Sequence, residues 1–297
     1  MAPSQRTSVL ITGCTPGGIG HALALEFHKR GCHVIATARR LDVLKDLEAQ
    51  GLTILALDVT SQESVDACKD AVTQLTDGRL DILINNAGRP HVIPALDVDI
   101  DDARETYETN VIGPMRMVQS MVGLLIPVRG LVINVASASC ELPYLFSAVY
   151  SATKAALMQY SRVLRMELRP FGVRVMTCMA GTVRSNFASK PERALPAASL
   201  YQPVADFYER RLIFSQTTAT MPNSVFAEKL VSQALRGEGW LGGWIGGTPD
   251  YLWVGGMSTL VFCGTFLPRW LLEGITAVYF QMPQMGSRIG AARQKAH

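Results

Sequence analysis

Tyr150 and Lys154 stand four residues apart in VYSATKAAL, an alanine-rich stretch whose composition favours a helix. That spacing puts a phenol and an ammonium on one helix face. A neighbouring ammonium favours the ionised phenol and so lowers a pKa that starts near about 10, which suits the pair to acid and base chemistry. A second chemical feature opens the chain: SVLITGCTPGGIGHALALEF reads as a strand, a Gly-rich turn and a helix in that order. Gly13, Gly18 and Gly20 let the backbone turn tightly and approach a pyrophosphate, whose charge the free N–H groups of the helix start would stabilise. Thr15 and Ile19 belong to the same turn.

HVIATARR then offers Ala38 where an acidic residue would hold a ribose 2′-hydroxyl, followed by Arg39 and Arg40. With no carboxylate to repel it, a 2′-phosphate can be clamped by guanidinium, which favours NADPH over NADH. The competing reading is a solvated arginine pair in a surface loop. Asp42 reads as the cap of the next helix, and Asp58, followed by Val59, as either a ligand of the adenine amino group or the cap of a helix beginning near residue 62.

These groups need a frame that brings distant segments together. Short apolar runs (SVLIT, HVIATA, LTILALDV, LDILINNAG, GLVINVAS, GVRVMTCMAG) alternate with amphipathic stretches over the first two thirds of the chain. Near-continuous apolar strands are buried on both faces, so the pattern predicts an α/β fold: a doubly wound, Rossmann-type parallel sheet with helices on both faces. A single domain over 1–248 is expected, including a substrate lid at about 186–222 with a helix near 203–215, followed by an apolar C-terminal extension over 249–297.

Composition narrows the function classes. The 297 residues are 48% hydrophobic, enough for a full core, and the net charge of +3 comes from scattered Lys and Arg rather than a basic stripe. No nucleic-acid partner is expected. The six cysteines form no C-x-x-C pair and have no histidine at ligand spacing, so no metal site is expected, and they read as small buried hydrophobes in a reducing compartment. No apolar core of signal-peptide length precedes the first strand, so folding is expected to start in the cytoplasm.

The motifs together resemble the short-chain dehydrogenase/reductase superfamily over about residues 8–185: TGCTPGGIG, NNAG at 85–88, Asn110 in ETNVIG, Ser137 in NVASAS, and Tyr150 with Lys154 in YSATK. The resemblance implies that Tyr150 gives a proton to a carbonyl oxygen as hydride arrives, that Lys154 lowers its pKa and holds the nicotinamide ribose, and that Ser137 hydrogen-bonds the carbonyl. The thirteen-residue step to Tyr150 fits Ser137 and not Ser139. Asn110 would hold a water linking Lys154 to solvent. Asn86, Ala87 and Gly88 would shape the sheet edge beside the cofactor, and Gly181, Val183 and Ser185 the nicotinamide pocket. In place of the common Pro-Gly the chain has Ala180-Gly181, which suggests a looser loop there. The extra residue in the Gly turn leaves open which of Gly17 and Gly18 meets the pyrophosphate.

From Tyr251 to Pro268 the chain carries no charge, but three glycines and a terminal proline argue against a simple spanning helix. An interfacial membrane anchor, a pocket cover and a subunit interface of a homo-oligomer remain open. The tail also resembles a fungal subgroup typified by NADPH-dependent 1-acyldihydroxyacetone-phosphate reductase, which implies a small hydrophobic ketone substrate and a cytoplasmic protein peripheral on endoplasmic reticulum or lipid droplets. The same subgroup includes ketoreductases of fungal secondary metabolism acting on aromatic or polyketide ketones. A non-catalytic NADPH-binding sensor or scaffold is the rival of another class, and the complete Asn, Ser, Tyr and Lys set weighs against it. Lid cations Arg184, Lys190, Arg193, Arg210 and Arg211 could meet a phosphate, but most of them read as solvated charges.

Overall fold

The computed structural model describes residues 6–186, 193–218, 221–240 and 246–296. Its strands in chain order are β1 (Ser8–Ile11), β2 (His33–Ala38), β3 (Thr53–Ala56), β4 (Ile82–Asn85), β5 (Leu131–Val135), β6 (Arg174–Ala180), the short pair β7 (Val183–Arg184) and β8 (Met221–Pro222), and β9 (Tyr251–Val254). Seven of them form one parallel sheet in the order β3-β2-β1-β4-β5-β6-β9. The order reverses between β1 and β4, which opens a crevice at the strands' carboxyl ends, where doubly wound sheets bind ligands.

The helices are α1 (Ile19–Lys29), α2 (Lys45–Ala49), α3 (Gln62–Leu75), α4 (Ile100–Tyr107), α5 (Gly113–Leu125), α6 (Ala148–Leu168), α7 (Ala205–Leu212), α8 (Phe214–Thr217), α9 (Asn223–Ala234), α10 (Ser258–Gly264), α11 (Arg269–Tyr279) and α12 (Met282–Ala296). Alternate residues of β1 explain why both faces are apolar: Val9 and Ile11 join one core with Phe27 of α1 and Phe226 of α9, while Leu10 joins the other with Val72, Met121 and Leu164 of α3, α5 and α6. The segment Ile100–Val128 is long and apolar enough to cross a membrane, but here Met117, Met121 and Leu125 pack it against the sheet.

Three expectations change. The α/β domain does not close at residue 248, because Tyr251–Val254, inside the segment set apart as an extension, is the seventh strand, in register from Thr177 with Tyr251 to Ala180 with Val254. Gly255-Gly256 ends the strand before α10, but what makes this apolar run a strand is its pairing with β6. The lid helix is in two pieces, α7 and α8, and part of the lid lies outside the described residues. Four cysteines are buried as expected, whereas Cys140 is half-buried and Cys263 exposed.

Candidate active site

The carboxyl end of β5 and the first turns of α6 meet at the centre of the crevice. Ser137 caps the turn Ala138–Cys140, its Oγ accepting from Ser139 N at 3.2 Å and Ser139 Oγ at 3.0 Å. It also hydrogen-bonds the Tyr150 phenol. One turn along α6, Lys154 Nζ donates to the Val135 carbonyl at 2.8 Å and lies 5.9 Å from the Tyr150 ring centroid. The three side chains therefore converge although thirteen residues separate the first two in the chain.

Their electrostatics differ from the expectation. Burial pushes the Tyr150 phenol above its ordinary value, and the Ser137 hydrogen bond opposes this only in part. Burial pulls Lys154 down to about 8. Its ammonium donates to the Val135 carbonyl, and with the charge 5.9 Å from the ring, burial still outweighs any lowering of the phenol by the lysine.

Asn110 stands one layer behind the cleft wall, fully buried in a wide turn (Glu108–Ile112) that joins α4 to α5. Its Nδ2 donates to Arg89 O at 3.0 Å and Thr153 Oγ1 at 3.1 Å, and its Oδ1 accepts from Arg89 N at 2.7 Å. Gly88 lies beside Asn110 and Lys154: a Cβ there would sit 3.4 Å from Asn110 Oδ1 and 3.7 Å from Lys154 Nζ, in ordinary contact.

The other half of the crevice, about 1090 Å³ in all, is lined by Gly13, Thr15, Gly18, Ile19, Arg39, Asp58, Val59, Asn86, Ala87 and Gly88, with Gly181, Val183 and Ser185 toward its middle. Gly18, at the start of α1, faces the cleft, while Gly17 at φ +74° turns toward Asn186. Gly20 does not line it: a Cβ there would come within 2.4 Å of Gly13 O, so this glycine packs helix against turn. Nor does Arg40, whose Nε lies 3.5 Å from the Asp42 carboxylate on the surface; the Asp42 expectation also fails, because Arg40 occupies the cap position and Asp42 the first turn. Asp58 is not a helix cap either. Its Oδ1 accepts from Thr60 N at 3.0 Å and Thr60 Oγ1 at 2.7 Å, and Ser61 caps α3.

The loop after β6 is tied rather than loose. Gly181 N donates to Val254 O at 2.8 Å, and Thr182 and Gly256 exchange backbone bonds of 2.9 and 2.8 Å. Beyond this clasp, Met257 and Val261 of the C-terminal segment join the cleft wall.

Sequence reasoning missed Tyr144, set His91 aside and weighed Arg211 chiefly as a solvated lid cation. Arg211 is buried in the wall, not solvated, and Tyr144 beside it also lines the cleft. His91, left out of the site, is buried in the wall with Nε2 3.3 Å from Asp102; burial and the Arg193 charge pull its pKa below the usual value. Of the other lid cations, Arg193 pairs with Asp102 and Arg210 with Asp206, Arg184 is exposed, and Lys190 lies outside the described residues. No sequence signal sets Arg211 apart from the other lid cations or marks His91, because their burial is decided by the tertiary packing around them.

The crevice fits a dinucleotide: close glycine packing on one side, Arg39 after β2 without an ion pair among the described residues, and proton-bearing side chains at the middle. Among the described residues no cluster suits a metal ion. The family model described as short chain dehydrogenase matches residues 7–195. The chain is 40% identical over 270 residues to an NADPH-dependent 1-acyldihydroxyacetone phosphate reductase of Schizosaccharomyces pombe, covering 88% of this chain and 89% of that protein. It is 35% identical over 297 residues to the short-chain dehydrogenase srdE of Neurospora crassa, covering 99% of each. A crystal structure of a short-chain dehydrogenase from Streptomyces avermitilis superposes with a TM-score of 0.76 at 26% identity, covering 95% of this chain and 99% of that one.

Proposed function

Because the chain belongs to the short-chain dehydrogenase family and is therefore an oxidoreductase, we propose that it uses NADPH to reduce a ketone to a secondary alcohol on a hydrophobic substrate. The observation that carries this reading is the convergence of Ser137, Tyr150 and Lys154 on one wall of a cleft whose far end is a Gly-rich turn. NADPH held by the Gly-rich turn and Arg39 would supply the hydride. Ser137 Oγ holds the substrate carbonyl, and the neutral Tyr150 phenol, kept protonated by burial, gives its proton to the carbonyl oxygen. Lys154, fixed by Val135 O, places a positive charge beside the phenol where the phenolate forms. Asn110 ties the Arg89 backbone to Thr153, fixing the helix turn that carries Lys154, and a proton passes from solvent by Lys154 to restore the phenol.

Arg39, facing the cleft and without an ion pair among the described residues, supports NADPH over NADH. Leu142, Tyr144, Leu212, Met257 and Val261 give the substrate end an apolar wall. That wall and the named activity of the fission-yeast relative support an acyl-dihydroxyacetone phosphate as substrate. The exposed apolar residues Phe266, Leu267, Trp270 and Val278 support peripheral attachment to a lipid surface of the endoplasmic reticulum or lipid droplet type.

The test follows NADPH oxidation against an acyl-dihydroxyacetone phosphate, a long-chain ketone and aromatic polyketide ketones, with NADH in parallel. Turnover of the acyl phosphate or long-chain ketone is expected; turnover confined to aromatic ketones would move the protein to secondary metabolism. Tyr150→Phe should abolish turnover and leave NADPH affinity nearly unchanged. Retained turnover would overturn the proposed acid.

A further inference from the structure

Arg211 takes no part in the reaction outlined above, yet it occupies the wall of the same cleft. It is only 8% exposed. Its Nε donates to Leu145 O at 2.9 Å, its Nη2 donates to Ser147 Oγ at 2.5 Å, and its guanidinium carbon stacks 4.1 Å from the Tyr144 ring centroid. None of these partners carries a charge. The ionisable groups nearest to it are the phenols of Tyr144, Tyr150 and Tyr208, all held neutral by burial. Among the described residues no carboxylate pairs with Arg211, and Nη1 makes no hydrogen bond, whereas the neighbouring Arg193, Arg210 and Arg288 each meet an aspartate. A buried guanidinium without a counter-charge is costly, and the cost is relieved when an anion enters beside it.

The position of this charge is informative. Ser147, its hydrogen-bond partner, is the cap residue of α6 and makes no capping bond of its own. Tyr150 lies three residues further along, about 4.5 Å of helix rise away. An anion at Arg211 would also feel the positive end of the α6 dipole. We propose that Arg211 is the anion subsite of the substrate pocket: the substrate carries a phosphate ester or carboxylate a few bonds from the ketone that Tyr150 protonates. The inference rests on the ketone-reductase reading for its geometry, but it can be tested by binding alone.

The probes are octyl phosphate, octanoate and octanol, titrated by calorimetry into the full chain saturated with NADPH. Octyl phosphate or octanoate should bind about tenfold or more tightly than octanol, as a charge-assisted hydrogen bond requires. Which of the two anions binds better distinguishes a phosphate from a carboxylate substrate. Arg211→Gln should erase the preference while NADPH affinity is kept, and Arg211→Lys should keep part of it. Equal binding of the three probes to the unaltered protein would overturn the proposal, as would a preference that survives in Arg211→Gln. Should the glutamine variant fail to hold NADPH, the unaltered protein and Arg211→Lys still decide: an undiminished preference in the lysine variant would show that the guanidinium fork is not what binds the anion. Failure of every ketone in the turnover assay, with the anion preference intact, would sink the reductase reading and leave the subsite standing.

Discussion

Lys154 loses its proton more easily than an ordinary lysine because its ammonium is enclosed, and this gives the site a pH signature. With its pKa lowered from 10.5 to about 8, the positive charge beside the phenol disappears as pH rises through about 8. Ketone-reducing kcat/KM of the free enzyme should therefore fall above about pH 8, and a plateau to the ordinary lysine value would contradict the assignment. The same shift affects folding. Between about 8 and 10.5 the unfolded chain keeps a proton that the folded one has released, so the lysine's contribution to stability rises with pH across that window. Tyr150 acts oppositely: the folded chain keeps a proton that the unfolded chain loses above 10, so stability falls there. Denaturant titrations across the two windows read both slopes. At the other end of the cleft, Arg39→Ala should raise the KM for NADPH by about tenfold or more and that for NADH little, whereas Arg40→Ala should spare both, since only Arg39 faces the cleft. Equal losses for the two cofactors would remove the 2′-phosphate clamp. The pairing of Tyr150 with Lys154 was legible because a helix fixes what four residues apart means; the separation of Arg39 from Arg40 was not, because adjacent side chains on a loop diverge according to local packing.

At the scale of elements, the loop after β6 shows a compensation. Where a proline would stiffen it, backbone bonds to Val254 and Gly256 hold it instead. Gly181→Ala would drive a Cβ to 2.1 Å from Gly256 O, a clash with backbone that cannot be turned aside. Urea unfolding should show a loss of about 1–3 kcal/mol, with a higher KM for the ketone as Met257 and Val261 shift. Unchanged stability would show that the clasp yields. Asn110 is the parallel case on the other wall. Asn110→Ala removes three hydrogen bonds to Arg89 and Thr153, which should cost about 1–3 kcal/mol in urea and lower kcat more than it raises KM. A change in KM alone would place Asn110 outside the machinery that positions Lys154.

At the scale of the whole molecule, the C-terminal segment does two things at once. Met285 of α12 is buried among Phe146, Val204, Phe207 and Tyr208, and Phe280 meets Tyr144 and Phe214 edge-on or tilted, so the tail braces the lid helix from behind. Removing residues 282–297 should raise the KM for the ketone and leave NADPH affinity unchanged, because the Gly-rich turn lies at the far end of the crevice. An unchanged KM would make the brace irrelevant to substrate. On its outer side Phe266, Trp270 and Val278 remain exposed. Trp270→Glu combined with Phe266→Asp should abolish flotation with phosphatidylcholine vesicles and leave turnover of a water-soluble ketone intact. If the unaltered protein does not float, the patch is not a lipid-binding face, and sedimentation would test whether it joins two copies instead.

What the amino-acid sequence determined by itself is whatever depends on spacing within one element: the Gly-rich turn from strand to helix, the apolar runs buried on both faces of a parallel sheet, and the phenol and ammonium on one helix face. Those features are set by local geometry, which has few solutions. The tertiary structure alone decided that YLWV is a strand, that Gly20 packs rather than cradles, and that Arg211 is buried without a carboxylate. Each of these depends on a partner remote in the chain, as Ser147 is from Arg211 and β6 from β9. A residue's burial and charge environment are properties of that meeting, and no periodicity in the chain encodes them.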